Sequence, residues 1–198
     1  PGGSLPVTVA YHGGQIPIYY NHPGNSCWHQ AESIGFADYV DLPHTPRYVF
    51  GHGLSYTRFA YDDLQISPES AAPFGKVMIS CLVTNTGERS GDEVVQLYLK
   101  DIQASMIRPV KELAGFARIS LLPGETKRIT FSVEMSQLAF LDRNMEWKIE
   151  KGRIEVEIGS SSEDIRLKGA FDIAESAVIA GRDRGFFAKT QIVTENTI

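Results

Sequence analysis

The sequence predicts an all-β protein, a two-sheet antiparallel sandwich with an irregular N-terminal strap and a C-terminal tail. Three observations predict it. Short apolar/polar alternations of period two recur along most of the chain, and turn residues separate them at spacings typical of sandwiches. No sustained 3.6-residue periodicity intervenes, which disfavours a parallel α/β sheet.

The opening segment, residues 1–54, has a different texture. It holds six of the ten prolines, all five histidines, and the pairs Gly2-Gly3 and Gly13-Gly14. Its apolar stretches, 5–11 and 16–20, are short, and Pro17 inside the second cannot donate to a ladder. Such a segment cannot bury a core alone. It reads as a strap against something else, and without that surface it is expected to be mobile, folded back on the sandwich, or ordered by another chain.

From Phe59 onward the strands follow one another. In residues 76–85, Val77, Ile79, Cys81 and Val83 share a face, and Asn85-Thr86-Gly87 offers turn residues able to take positive φ. Residues 93–100 place Val95, Leu97 and Leu99 together, 113–121 form another strand, and Leu122-Pro123-Gly124-Glu125 is a turn. Residues 127–133 align Ile129, Phe131 and Val133 against Arg128, Thr130 and Ser132. One helical turn is expected near 135–140, with Trp147 as a core or rim aromatic. Residues 153–158 alternate Ile154, Val156 and Ile158 with Arg153, Glu155 and Glu157, while Ile165, Leu167, Phe171 and Ile173 share one parity. The chain therefore divides into a strap (1–54), a sandwich of about seven strands (55–173) and an extension (174–198). In the extension, Phe186-Phe187 is expected to dock on its own domain or a neighbour.

Composition excludes two classes of function. Net charge is −5 with no Lys/Arg stripe, which argues against nucleic-acid binding. No apolar run approaches the ~20 residues that span a bilayer, so no membrane partner is expected. Cys81, inside a strand pattern, is expected to be a buried free thiol rather than bridged to Cys27.

Several stretches, taken in order, resemble the C-terminal portion of family 3 glycoside hydrolases, the β-glucosidase and β-xylosidase group. Leu5-Pro6-Val7-Thr8-Val9 looks like a strand near the end of that family's α/β-sandwich domain, and residues 14–22 resemble the segment leaving it. The most specific run, residues 48–59, is similar to the family's "FGxGLSYTxF" entry into its third domain. Val83-Thr84-Asn85-Thr86-Gly87, then Gly91 and residues 93–98, resemble that domain's central hairpin. Arg108-Pro109, Lys111-Glu112-Leu113, Gly115-Phe116, residues 122–125, Gly152 and Gly159-Ser160-Ser161-Ser162 continue in the family's order. The likeness covers about residues 4–173 and implies a fibronectin-III/immunoglobulin-like sandwich, with residues 1–54 as the tail of a preceding α/β domain.

The resemblance also implies where chemistry lies. A retaining glycosidase needs two carboxyl groups about 5–5.5 Å apart. In enzymes of this family the nucleophile is an aspartate of the barrel domain and the acid/base usually a glutamate of the α/β domain. Neither motif occurs here, so no catalytic residue is assigned and the chain alone is expected to be inactive. Asp38 with Asp41, and adjacent Asp62-Asp63, read as turn or solvent groups rather than an acid/base pair. His12, His22, His29, His44, His52 and Cys27 lack zinc-motif spacing, so neither metal nor cofactor is expected. Ser160-Ser161-Ser162 reads as a solvated turn, since no histidine in the sandwich half activates it.

Indirect function is expected in the strap, where Tyr20, His22, Trp28 and Tyr39 are the candidate substrate-proximal residues, aromatic faces being able to stack on sugar rings. The competing reading for these four is packing between domains. The implied partners are the barrel and α/β domains of the parent enzyme, in the same chain or separate, and through them a β-linked oligosaccharide. Two alternatives stand beside this accessory role: a carbohydrate-binding module tethering the enzyme to polysaccharide, and an oligomerisation module forming a homo-oligomer.

Overall fold

The structure is a computed structural model, and it describes residues 2–23 and 45–195. Twelve strands follow one another in the described residues: β1 (Phe59–Ser67), β2 (Ser70–Ala71), β3 (Lys76–Asn85), β4 (Gly91–Asp101), β5 (Glu112–Leu121), β6 (Thr126–Glu134), β7 (Phe140–Leu141), β8 (Trp147–Ile149), β9 (Gly152–Gly159), β10 (Ile165–Ile173), β11 (Ala177–Ile179) and β12 (Lys189–Glu195). They form a four-stranded sheet in the order β1-β3-β6-β12, a five-stranded sheet β2-β10-β9-β4-β5, and a small sheet β11-β8-β7. Every pairing is antiparallel except the short β2–β10 contact.

The alternating positions face one another between the two larger sheets. Val77, Ile79, Cys81 and Val83 of β3 and Ile129, Phe131 and Val133 of β6 meet Val95 and Leu97 of β4 and Ile154, Val156 and Ile158 of β9, all almost wholly excluded from solvent. Phe171 and Ile173 of β10 join them. Each such side chain contributes roughly 1.5–3 kcal/mol by leaving water, so this layer holds the fold. A single 3₁₀ turn at Met135–Leu138 closes one end of the core, with Met135 and Leu138 buried.

One local expectation changes. Asn85-Thr86-Gly87 does not turn through positive φ: among the described residues only Gly51, Gly124, Asp63 and Met145 have it. The buried Asn85 side chain instead holds the hairpin. Its Nδ2 donates to the carbonyls of Arg89 (2.8 Å) and Leu121 (3.0 Å), and its Oδ1 accepts from the Thr57 hydroxyl (2.6 Å) and the Gly87 N–H (3.1 Å). Gly87 is required by close approach, because a Cβ there would collide with Thr57 Oγ1. The turn at Gly124 does use positive φ (+75°), and the Glu125 carboxylate accepts from the Leu122 N–H at 2.7 Å.

The tail does add to the sandwich. β11 pairs with β8, and β12 pairs with β6 along its full length, from Lys189↔Ser132 to Glu195↔Thr126. Phe186 and Phe187 do not anchor it, both being largely exposed. Backbone pairing holds it, together with the Arg184 guanidinium 4.7 Å from the Trp147 ring. Trp147 is thus a rim aromatic beside the core.

Candidate functional site: the strap and the sheet face beneath it

The strap is folded back on the sandwich. Its two described arms, residues 2–23 and 45–54, run antiparallel through the bridges Ser4↔Gly53 and Val9↔Tyr48. Backbone bonds Leu5 N–H to His52 O (2.9 Å) and Gly51 N–H to Leu5 O (2.8 Å) tie them together. The arms cover the outer face of the five-stranded sheet, where a half-exposed strand would otherwise meet water.

Gln96 and Tyr98 show the consequence. They lie on β4 between the core-facing Val95, Leu97 and Leu99, so alternation assigns them to solvent, yet they are 3% and 0% exposed. The Tyr98 hydroxyl donates to Gln96 Oε1 at 2.6 Å, and Gln96 Nε2 donates to the carbonyls of Gly51 (3.2 Å) and Ser160 (2.6 Å). Burial pushes the Tyr98 phenol far up, with Tyr20 and Glu163 adding to the rise, so it stays a neutral donor. Gly51 sits at φ +80°, and a Cβ there would strike the Gln96 amide. Glycine is demanded twice at that position.

Tyr20 and His22 are built into the same seam. The Tyr20 ring stacks on Phe50 at 4.3 Å and meets Tyr98 edge-on at 5.8 Å. Its hydroxyl accepts from the Leu113 N–H at 3.1 Å, and burial raises its pKa. His22 is buried, its Nδ1 donating to Pro23 O at 2.8 Å and its own carbonyl accepting from the Val110 N–H at 3.0 Å. The two residues therefore pin the end of the first arm against 109–113. Trp28 and Tyr39, with Cys27, Phe36, Asp38 and Asp41, lie outside the described residues.

A charged cluster closes the seam beside β9. Glu157, another position expected to be wet, is buried between Lys111 Nζ (2.9 Å) and Lys168 Nζ (3.0 Å). Burial pushes its carboxyl up, but the two ammonium groups outweigh that and hold it below the usual glutamate value. Lys111 also donates to Ser162 O at 2.7 Å, and the Ser162 N–H donates to Phe50 O at 3.0 Å. The serine turn is therefore not solvated, for Ser161 and Ser162 are buried under the strap. Sequence alternation missed these positions because their cover comes from a remote segment.

One cleft, about 440 Å³, opens where the strap meets the sheet end, lined by Ser4, Tyr61, Glu93, Ser160, Asp164 and Arg166 among others. Burial raises the Glu93 carboxyl, offset in part by Tyr61 and the Val94 amide. Asp164 is committed: Arg166 donates to both of its oxygens (2.6 and 2.8 Å) and the Ser160 hydroxyl to one (2.7 Å), which holds its pKa low. Asp63 is likewise committed, sitting at positive φ where the β1–β3 register shifts and accepting from Arg128 at 2.6 Å. Cys81 is a buried free thiol whose pKa is pushed up to about 12 by burial. Among the described residues, no three His, Cys, Asp or Glu side chains converge to hold a metal ion.

Away from the sandwich the strap leaves large apolar side chains exposed, Val7 (56%), Ile16 (69%) and Tyr19 (50%) among them, with Tyr11 and Tyr48 also exposed.

Comparison with known proteins fits this architecture. Residues 93–162 match the fibronectin type III-like domain family. The chain is 40% identical over 175 residues to a periplasmic β-glucosidase of Salmonella typhimurium, and 38% identical over 168 residues to a β-xylosidase of Formosa agariphila. Those alignments cover 87% and 85% of this chain but 23% and 22% of the relatives, so the chain spans under a quarter of their length. A β-glucosidase of Listeria innocua, solved with glucose, superposes with TM-score 0.78 at 32% identity, over 88% of this chain and 24% of that one. Residues 93–162 are thus a fibronectin type III-like domain, and most of the chain is similar to one part of larger β-glucosidases and β-xylosidases.

Proposed function

We propose that this chain is the C-terminal accessory region of a family 3 β-glycosidase whose other domains hydrolyse terminal β-linked glucose or xylose. Its role is to brace those catalytic domains. The observation that carries the reading is the two-sided strap: one face is fastened to the sandwich through Gln96, Tyr20 and the Ser162 N–H on Phe50 O, and Val7, Ile16 and Tyr19 are exposed away from it. A segment bonded this firmly on one side and apolar on the other is suited to join two bodies rigidly. In this reading residues 1–54 are the end of the preceding α/β domain, 55–173 the sandwich, and 174–198 an extension.

The described residues on either side of 24–44 are both held. Tyr20 and His22 hold one foot of residues 24–44, and the Gln15 amide, donating to Thr45 O at 3.5 Å, ties the other. In this reading Tyr20, His22, Trp28 and Tyr39 belong to the region that shapes the outer sugar subsites of the parent enzyme.

Assay of the chain alone on an aryl β-glucoside, then mixed with the barrel and α/β portion, tests this. No activity alone and restored activity on mixing is the expected result. Turnover by the isolated chain would overturn it. Retention on insoluble polysaccharide without the upstream portion would instead favour a tethering module.

A further inference from the structure

We infer that β12 is a self-complementary edge through which two copies of this chain pair, antiparallel, into one continuous eight-stranded sheet. The inference is independent of the accessory reading above.

A sheet edge left unpaired is a template for another strand unless something blunts it. The other edges of the two large sheets are short or interrupted. β1 carries the register shift between Asp62 and Gln65, with Asp63 at positive φ, and β2 is two residues long. At the β5 edge, the Leu113 N–H is taken by the Tyr20 hydroxyl, and the Ala114 carbonyl accepts from the Ala188 N–H at 2.7 Å. β12 differs. It runs seven residues in unbroken register with β6, is exposed throughout, and among the described residues has no strand on its other side.

The sequence of β12 determines what fits there. It reads Lys-Thr-Gln-Ile-Val-Thr-Glu, opposite charges at the ends and an uncharged, largely β-branched centre suited to strand pairing. A two-fold axis at Ile192 sets Lys189 of each copy opposite Glu195 of the other. Thr190 then faces Thr194, Gln191 faces Val193, and Ile192 faces Ile192. Opposite charges and threonine pairs directly across antiparallel strands are stabilising, and like charges there are not. A centre that falls on a residue also preserves parity. Lys189, Gln191, Val193 and Glu195 stay on the face of Arg128 and Thr130, and the two sheets continue without inversion. The pairing covers Ile192 and Val193, now 45% and 48% exposed, and a two-fold contact of this kind closes at two copies. A parallel or one-residue-shifted pairing loses both charge matches, so a second copy in this register is the occupant the strand selects.

Sedimentation of the full chain over a concentration series tests the pairing. The expected mass is twice 21.9 kDa, and a monomer at every concentration would overturn it. Lys189→Glu and Glu195→Lys each place like charges at both ends, so each variant alone should lose the dimer. Mixed in equal amounts the two should recover it, since one copy then has acidic side chains at both ends of β12 and the other has basic ones. Singles that stay dimeric, or a mixture that stays monomeric, would refute the register. Recovery in the mixture also shows that both variants are folded.

Discussion

Gln96 Nε2 donates to the carbonyl of Gly51 at 3.2 Å, across 45 residues of sequence, and this contact joins the strap to the sandwich. Gly51→Ala is expected to detach the strap locally. The added Cβ meets the Gln96 amide, and a non-glycine residue in that backbone region costs about 1–3 kcal/mol. Hydrogen exchange should show the Leu5, Val9 and Gly51 amides losing protection while those of β3 and β6 keep theirs. Uniform loss across both sheets would contradict a local effect.

Phe131→Ala should act in the opposite manner. Phe131 is fully buried between the sheets, and such truncations cost about 3–5 kcal/mol. Denaturant unfolding should shift its midpoint for the whole sandwich, with strap and strands melting together.

Tyr20→Phe removes one oxygen and keeps the ring on Phe50. The Leu113 N–H then loses its acceptor beneath the strap, for about 1–3 kcal/mol. Faster exchange at the Leu113 amide, with the 198-residue chain otherwise folded, is the expected signature.

The Glu157 cluster makes stability depend on acid. Lys111 and Lys168 hold the folded-state pKa below its unfolded value, so the folded chain binds this proton more weakly. The stabilisation is therefore complete above the unfolded glutamate pKa of about 4.3 and is lost as pH falls through the lower folded value. Glu157→Gln should flatten the unfolding free energy over that acid range relative to the native sequence. An unchanged slope would assign the acid sensitivity elsewhere.

Cys81 should resist alkylation in the folded protein at mildly alkaline pH. Its thiol is buried and its pKa is pushed up to about 12, so almost no thiolate is present. Peptide mapping after iodoacetamide treatment should find Cys81 modified only when denaturant is added.

The strands of the sandwich were legible because alternation is a local property. Val77, Ile79, Cys81 and Val83 announce a buried face without reference to anything distant, and the structure buries all four. The same period says that Gln96, Tyr98 and Glu157 point away from the core. It does not say that the strap covers Gln96 and Tyr98 or that Lys111 and Lys168 close over Glu157. The tail carried no clear alternation, and its role as an edge strand depends on β6 offering a free side in register. Its end charges, Lys189 and Glu195, meet Glu134 and Arg128 within the chain, and they oppose each other only when two such strands are set edge to edge.

The sequence by itself determined the all-β class, the order of the main strands, the inward residues and the likeness to β-glucosidases and β-xylosidases. Each follows from near neighbours or from the order of short motifs. Tertiary structure alone decided that the strap folds onto the sandwich, that Tyr20 and His22 are fasteners of that seam, and that β12 forms a regular, open edge. Those outcomes depend on which surfaces meet across the chain, and a period of two carries no information about the far side of a sheet.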